Sequence, residues 1–228
     1  MIDLQLFKNI IKEGRHNTDL LDSYSPNQFK TKQKLEDMIH NHVDINSKSD
    51  IVIFGCWYGS ILIPMFKEAR RITLIDTDDV VMRISKNRLF NHYKNVNLDY
   101  VIDDVFNWAP TAKRIKWCDL IINTSCEHMR PMKEWGPLGP RSKHFNSKFG
   151  VPVTRKEAWW ERVAPTHFAF QSNNMFHIPT HINCCNTIDE FKEQLPNKEF
   201  NGVETKVLVE DKIKDERGTR FLLIGEIR

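Results

Sequence analysis

Residues 51–60, IVIFGCWYGS, and residues 74–79, LIDTDD, decide the fold of this chain. Residues 51–54 are all apolar, which is typical of a strand buried on both faces of a parallel sheet. Gly55 and Gly59 then frame a turn into a helix, and glycine suits a backbone that turns tightly and closely approaches a ligand. Asp76 follows the second apolar run, where a carboxylate can accept hydrogen bonds from a ribose diol. The pattern predicts a nucleotide-type ligand at the carboxyl ends of these strands.

Further apolar runs alternate with helical patterns along the chain. This alternation predicts an α/β fold with one doubly wound, mostly parallel seven-stranded sheet and helices on both faces. The last two strands have no helix between them, so we expect a C-terminal antiparallel hairpin. The predicted strands cover residues 51–54, 72–75, 98–102, 119–122, 167–171, 204–210 and 220–227.

Apolar residues at helical spacing predict the helices. Residues 1–49 form a predicted N-terminal helical segment, whose second helix begins at Ser25-Pro26. We expect residues 50–228 to form the ligand-binding domain, with a loop-rich insertion at about 130–165. Further helices are expected over 61–70, 79–93 and 188–195. Leu4, Phe7, Ile10 and Ile11 share one face of the first helix, and the side chains predicted to be buried elsewhere are Phe29, Leu35, Met38, Ile39, Val80, Ile84 and Leu89.

Composition and charge exclude several classes of protein. The chain has 228 residues, 40% hydrophobic and 28% charged, which is ordinary for a globular domain and not for a disordered or fibrous one. A formal net charge of +3 does not by itself indicate a nucleic-acid or membrane-surface partner. Five cysteines, without a disulfide-framework spacing, favour a reduced, cytoplasmic setting. No apolar run approaches the ~20 residues that span a bilayer, so no membrane association is expected.

The glycine turn and its partners resemble the first motifs of the class I S-adenosylmethionine-dependent methyltransferases. That family has seven strands, the last inserted antiparallel, and the resemblance covers about residues 50–228. Gly55 and Gly59 match the outer glycines of its GxGxG turn, whereas Trp57 takes the middle position and Ile53 replaces the usual acidic residue. Asp76 matches the ribose-binding acid, and the Asp104-Val105 pair resembles the adenine contact. The donor-binding residues implied by the resemblance are Gly55, Cys56, Trp57, Gly59, Asp76, Thr77, Asp104, Val105 and Asn123.

The resemblance implies an enzyme that uses S-adenosyl-L-methionine to methylate an unidentified acceptor, with a small molecule favoured over protein or nucleic acid. Two alternatives stay open. One is a protein of the same fold that binds the donor but has lost the chemistry, or that cleaves the sulfonium differently. Trp57 and Ile53 keep this alternative open because they depart from the family motif. The other is an NAD-type Rossmann enzyme, although the GxGxxG spacing typical of that class is absent.

Residues 123–129, NTSCEHM, follow the fourth predicted strand and form the candidate reaction centre. Methyl transfer depends mainly on alignment of the reacting atoms, so Asn123 is a candidate positioning group. Glu127 or His128 could act as a general base for an acceptor that keeps its proton. The structural alternative is that both only cap a helix or pair with Arg130. Cys126 is a weaker nucleophile candidate, because buried inert cysteines are far more common.

The acceptor side is predicted at two places. Gln171, Asn173 and Asn174 end the fifth strand with polar groups that could contact an acceptor or satisfy a turn. Trp135 begins an insertion of tryptophans and basic residues that extends to Trp160. That insertion could cover the substrate or pack its aromatic rings against the sheet edge.

Residues 177–185, HIPTHINCC, bring metal-ligand types close together in sequence. His177, His181 and Cys184, with His128 or Cys126, could form a zinc site. The usual CxxC pairing is missing, and single histidines and cysteines are mostly structural. The sequence therefore predicts no metal.

Overall fold

A computed structural model describes residues 3–94, 96–108, 118–134, 166–201 and 204–228 of the chain. Its seven strands confirm the seven that were predicted from the sequence, with ends that differ by a few residues. The strands are β1 Asp50–Phe54, β2 Arg71–Asp76, β3 Asn97–Ile102, β4 Leu120–Asn123, β5 Thr166–Asn173, β6 Thr205–Lys214 and β7 Thr219–Ile227.

The strands form one sheet in the order β3-β2-β1-β4-β5-β7-β6. The first five are parallel, and β7 runs antiparallel to both β5 and β6, which confirms the predicted hairpin. The strand order reverses at β1, whose neighbours are β2 and β4. Phe54 pairs with Ile75 on one side and with Asn123 on the other, so three strands end side by side. Ligands of open α/β sheets bind at such a reversal.

Helices cover the sheet on both faces. The helices are α1 Leu4–Gly14, α2 Thr18–Asp22, α3 Pro26–His42, α4 Leu62–Met65, α5 Asp79–Ile84, α6 Val105–Trp108, α7 Ile188–Lys192 and α8 Lys198–Asn201. A π-helical turn over Ser85–Leu89 continues α5. Within the described residues, no helix is long and apolar enough to cross a membrane.

The core has two layers because successive strand residues point to opposite faces. Ile51 and Ile53 of β1 face the N-terminal helices, where they share a cluster with Leu35. Val52 and Phe54 face the other way, in a cluster with Phe191 of α7. Leu6 of α1 and Leu20 of α2 belong to the same cluster as Leu35.

The N-terminal helices have sequence-encoded starts. The Asp3 carboxylate accepts a hydrogen bond from the Leu6 amide, and the Asn17 side chain accepts one from the Leu20 amide. Pro26 occupies the first turn of α3, as predicted from Ser25-Pro26. These caps satisfy backbone donors that have no partner within the helix.

Some predicted buried side chains are exposed. Phe29 is 50% exposed because the buried stripe of α3 runs through Thr31 and Leu35, and Phe29 lies outside that stripe. Val80 is 57% exposed, because the N-cap at Asp78 sets a helix phase in which the next two residues face the sheet. Leu4, Phe7 and Ile11 share a face of α1, but that face is exposed and Leu6 is the buried residue.

Three predicted helices are shorter than expected. The helix expected over 79–93 ends at Leu89. The helix expected over 61–70 is the single turn α4, which ends just after Pro64, and the helix expected over 188–195 ends at Lys192. The loop-rich insertion predicted at about 130–165 lies mostly outside the described residues, and so does Trp135.

Candidate functional site

The turn after β1 keeps an unusual backbone geometry. Gly55, Trp57 and Gly59 have φ angles of 55°, 50° and 63°, so alternate residues are left-handed. A side chain in this region costs about 1–2 kcal/mol, and only glycine escapes the cost. Trp57, between the two glycines, thus adopts a backbone conformation that favours glycine. Such strain persists only where surrounding contacts impose it.

Asp76 at the end of β2 supplies one such contact. Its Oδ2 accepts a hydrogen bond of 2.7 Å from the Trp57 amide, and its Oδ1 accepts one of 3.1 Å from the Asp78 amide. Asp76, which is predicted to bind the ribose, therefore also anchors the turn. A carboxylate has about four acceptor positions, so two backbone bonds leave capacity for a diol.

Close neighbours, in addition to the φ angles, favour glycine at both positions. A Cβ on Gly55 would lie 3.0 Å from Ser125 Cβ, and one on Gly59 would lie 2.6 Å from Ile63 Cδ1. Ser125 Oγ also donates a 3.0 Å hydrogen bond to the Gly55 carbonyl. The turn is thereby fastened to the loop that follows β4.

A cavity of about 980 Å³ extends from this turn to the ends of β4 and β5. Its wall includes the turn, the β2 end and residues 103–106 at one end, and Glu127, His128 and Gln171 at the other. Pockets that enclose a drug-sized ligand measure roughly 300–1,000 Å³, so this volume is at the top of that range. Of the predicted donor-binding residues, those that line the cavity are Gly55, Cys56, Trp57, Gly59, Asp76, Thr77, Asp104 and Val105.

Asn123 is placed differently from the other predicted donor and catalytic residues. It is fully buried and does not line the cavity. Its Oδ1 accepts a 2.9 Å hydrogen bond from the Ser125 amide, and its Nδ2 lies 3.1 Å from Met129 Sδ. Asn123 thus shapes the loop behind the cavity wall.

Glu127 lies in the cavity wall with only 4% of its surface exposed. Burial raises the pKa of its carboxyl to about 7, although nearby Arg220 and Lys32 favour the charged form. Its Oε2 has no hydrogen bond of normal geometry among the described residues, although the Asn173 side chain is near enough to favour the charged form. A buried carboxyl with one unoccupied oxygen and a pKa near neutrality suits proton transfer.

His128 and His181 lie beside Glu127, with their rings in edge contact at 4.6 Å between centroids. His128 Nδ1 is 3.1 Å from the Thr180 carbonyl, and His181 Nδ1 is 3.1 Å from Asn173 Oδ1. Both partners are acceptors, so each Nδ1 carries the proton and each Nε2 presents a lone pair. Burial lowers the pKa of both rings, that of His181 to about 4. The two imidazoles are therefore neutral at pH 7.

Glu127, His128 and His181 also offer ligand atoms that all lie within 4.8 Å of one another. His128 Nε2 and Glu127 Oε1 are 4.0 Å apart. Ligands of one zinc ion sit about 2.0–2.1 Å from the metal, hence roughly 3.3 Å from each other. The trio would have to contract to hold an ion. Cys184 Sγ is 3.8 Å from His181 Nδ1, the nitrogen already hydrogen-bonded, so it does not extend the group.

Cys126 is fully buried, and its Sγ lies 3.6 Å from the Asn123 carbonyl. Burial raises the pKa of this thiol well above its usual value, so the nucleophilic thiolate is disfavoured. This geometry corresponds to the inert packing role.

The polar end of β5 divides between the cavity and the scaffold. Gln171 lines the cavity, and its Oε1 has no hydrogen-bond partner among the described residues. Asn173 lies behind the wall, where its Oδ1 also accepts a 2.9 Å bond from the Met175 amide. Asn174 Oδ1 accepts a 2.7 Å bond from the Thr219 amide and so joins β5 to β7.

Three cationic residues of the cavity wall were missed by the sequence analysis: Lys32, Arg217 and Arg220. Two lie in the final hairpin and one lies on α3, far apart in sequence. The one available signal was Arg220, a charged residue at the start of the apolar run RFLLI, since buried charges are rare unless they have a partner.

No family model matches this sequence, and no curated protein matches it significantly. Solved structures do match its fold. N-methyltransferase NodS from Bradyrhizobium japonicum WM9, in complex with S-adenosyl-L-homocysteine, has a TM-score of 0.57 at 12% identity, over 97% of this chain and 98% of that one. Magnesium protoporphyrin IX methyltransferase ChlM from Synechocystis PCC 6803, with the same ligand bound, has a TM-score of 0.59 at 9% identity, over 99% and 93%.

A third structure, an S-adenosylmethionine-dependent methyltransferase from Leishmania major, has a TM-score of 0.58 at 8% identity, over 98% of this chain and 83% of that one. At such low identities the likeness shows the fold alone. The chain has the fold of the class I S-adenosylmethionine-dependent methyltransferases.

Proposed function

We propose that this chain is an S-adenosyl-L-methionine-dependent methyltransferase acting on a small-molecule acceptor. One observation carries the proposal: a single cavity joins the strained turn at the reversal of strand order to the buried Glu127. Its volume of about 980 Å³ can hold a nucleoside donor together with a small acceptor. Two solved structures of this fold carry S-adenosyl-L-homocysteine, the demethylated donor.

The donor end of the cavity suits a nucleoside. Asp76 has acceptor capacity for the ribose diol, and its bond to the Trp57 amide holds the turn close to that position. Asp104 and Val105 lie in the same wall, where an adenine ring would pack. Asn123 contributes as a positioning residue, because its bonds fix the loop that separates donor from acceptor.

The bound donor would supply a methyl group on a positively charged sulfur. The chain aligns the acceptor and removes its proton. Glu127 Oε2 would take the proton from the acceptor nucleophile as that atom bonds to the methyl carbon and the bond from this carbon to sulfur breaks, with the electron pair left on the sulfur. Its pKa of about 7 matches that task. His128 and His181 are uncharged, so they add no repulsion beside a cationic donor.

The acceptor is expected to contact Gln171, whose amide oxygen is buried and unpartnered among the described residues. Asn173 acts through His181 and is a positioning residue. Asn174 holds the hairpin, and we do not assign it to the acceptor. Trp135 remains a proposed contact from the insertion. The proposal includes no metal.

Calorimetric titration with S-adenosyl-L-methionine, its demethylated product and NAD tests the donor assignment. We expect both sulfur nucleosides to bind at one site and NAD not to bind. Asp79→Ala, which removes an exposed carboxylate on the neighbouring helix, is the matched control for Asp76→Ala. An acceptor screen that follows product nucleoside then tests the reaction. Donor breakdown without any acceptor would instead indicate a different cleavage, and donor binding without any turnover would indicate a binding protein.

A further inference from the structure

Three cationic side chains line the end of the cavity that contains Glu127, which we call the acceptor end. Lys32 comes from α3, Arg217 from the turn between β6 and β7, and Arg220 from the second residue of β7. All three line the same cavity as Glu127. Arginine offers five donors in a planar fork that matches carboxylate and phosphate oxygens.

The two arginines have buried donors without acceptors. Arg220 is only 4% exposed, and its Nε has no hydrogen-bond partner among the described residues. The same holds for Nε and Nη2 of Arg217. The neighbouring Asp215 Oδ2 is 3.5 Å from Arg220 Nε, and Asp215 Oδ1 already accepts the amides of Arg217 and Gly218. Buried donors of this kind carry a desolvation cost that a bound acceptor group would remove.

Charged groups of both signs surround the three cations. Lys32, Arg217 and Arg220 lie among three carboxyl groups, Asp22, Asp215 and Glu127, and burial raises the pKa of Glu127 to about 7. Burial, and then the charge of Arg220, lowers the pKa of the Lys32 ammonium to about 8. Arg217 and Arg220 repel each other, and Arg220 disfavours the charged form of Lys32, so a further negative group at the cluster would be stabilised.

We propose that this cation cluster, Lys32, Arg217 and Arg220, binds an anionic group of the acceptor, so that the acceptor is a small organic carboxylate or phosphate. The inference rests on the proposed function. The anion would orient the acceptor so that its nucleophilic atom reaches Glu127 in the same cavity. The methionine part of the donor also carries a carboxylate, so the test must separate donor from acceptor.

The test measures anion binding to the protein saturated with S-adenosyl-L-homocysteine, which already fills the donor carboxylate position. Acetate and inorganic phosphate are titrated separately by calorimetry at pH 7, and the tighter of the two identifies the acid class. We expect saturable binding that weakens at least tenfold in Arg217→Gln and less in Arg217→Lys, because lysine keeps the charge and loses the fork. Lys212→Gln, an exposed charge removal on β6, is the matched control and should bind like the native chain.

Arg217 is preferred to Arg220 because it lies in the turn and is less buried, and thermal unfolding checks that each variant folds. Affinity for S-adenosyl-L-homocysteine should change less than twofold in Arg217→Gln. A tenfold loss of that affinity would assign the cluster to the donor carboxylate and overturn the proposal. Absence of anion binding to the saturated protein, or equal binding in Arg217→Gln, would also overturn it. Failure of the chain to bind S-adenosyl-L-homocysteine at all would contradict the proposed function instead.

Discussion

Replacing Glu127 with glutamine should change how the stability of this protein depends on pH. Burial raises the pKa of the folded carboxyl from 4.5 to about 7, so the folded state holds its proton over a range in which the unfolded state has lost it. Stability from the protonated carboxyl is thus complete below about pH 4.5 and is lost as pH rises to about 7. At 1.36 kcal/mol per pKa unit, the loss between pH 5 and pH 8 is about 2–3 kcal/mol.

Glutamine has no proton to lose, so this loss should be absent in Glu127→Gln. Urea unfolding of the native chain and of the variant at pH 5 and pH 8 measures the effect. The variant should gain about 2–3 kcal/mol relative to the native chain between the two pH values. Glu134→Gln, an exposed glutamate on the same loop, is the control and should follow the native chain. Parallel pH profiles for the native chain and Glu127→Gln would refute the burial argument.

Four further predictions concern the donor, the reaction and metal. Asp76→Ala should weaken S-adenosyl-L-methionine binding by about 1–3 kcal/mol, measured by calorimetry, because hydrogen bonds to a charged group are lost. Unchanged affinity in a folded variant would remove Asp76 from the ribose site. Glu127→Gln should lower single-turnover methyl transfer by roughly 10²–10⁴-fold at nearly native donor affinity, and the native rate should rise with pH through about 7. Asn173→Ala should lower the same rate by loosening His181, and full activity in both variants would place the chemistry elsewhere. Dialysis against EDTA should leave turnover unchanged, whereas loss of activity restored by zinc would show that Glu127, His128 and His181 contract around an ion.

The sheet was predictable because each strand carries its own signal. Ile51 to Phe54 are all apolar, as a strand covered on both faces requires, and the final two strands lack the crossover that a parallel pair needs. Burial within helices was less predictable. Phe29 and Val80 are apolar and fit a helical period, but the phase of each helix is set by its start and by its packing against the sheet.

The donor end of the site was accessible from sequence because its residues follow strands at one edge of the sheet. Asp76 and Asp104 both line the cavity for that reason. Asn123 also lies at the end of a strand, yet its side-chain oxygen accepts a hydrogen bond from the Ser125 backbone amide. The direction of a side chain depends on its hydrogen-bond partner, and the sequence pattern does not specify that partner.

The acceptor end depends on contacts between distant segments. The cation cluster combines α3 with the last hairpin, and the pKa of Glu127 comes from burial that the sequence does not show. His181 was noticed as a metal-ligand type, whereas the structure hydrogen-bonds its Nδ1 to Asn173. Such assignments require the packed structure, because burial and neighbouring charges determine the chemistry of each group.

A crystal structure of the chain with S-adenosyl-L-homocysteine would decide whether the cavity binds the donor, because it locates the nucleoside among the cavity residues. We expect the ribose hydroxyls on the Asp76 carboxylate, the adenine beside Asp104 and Val105, and the sulfur directed toward Glu127. A nucleoside bound outside this cavity, or one whose sulfur points away from Glu127, would contradict this expectation.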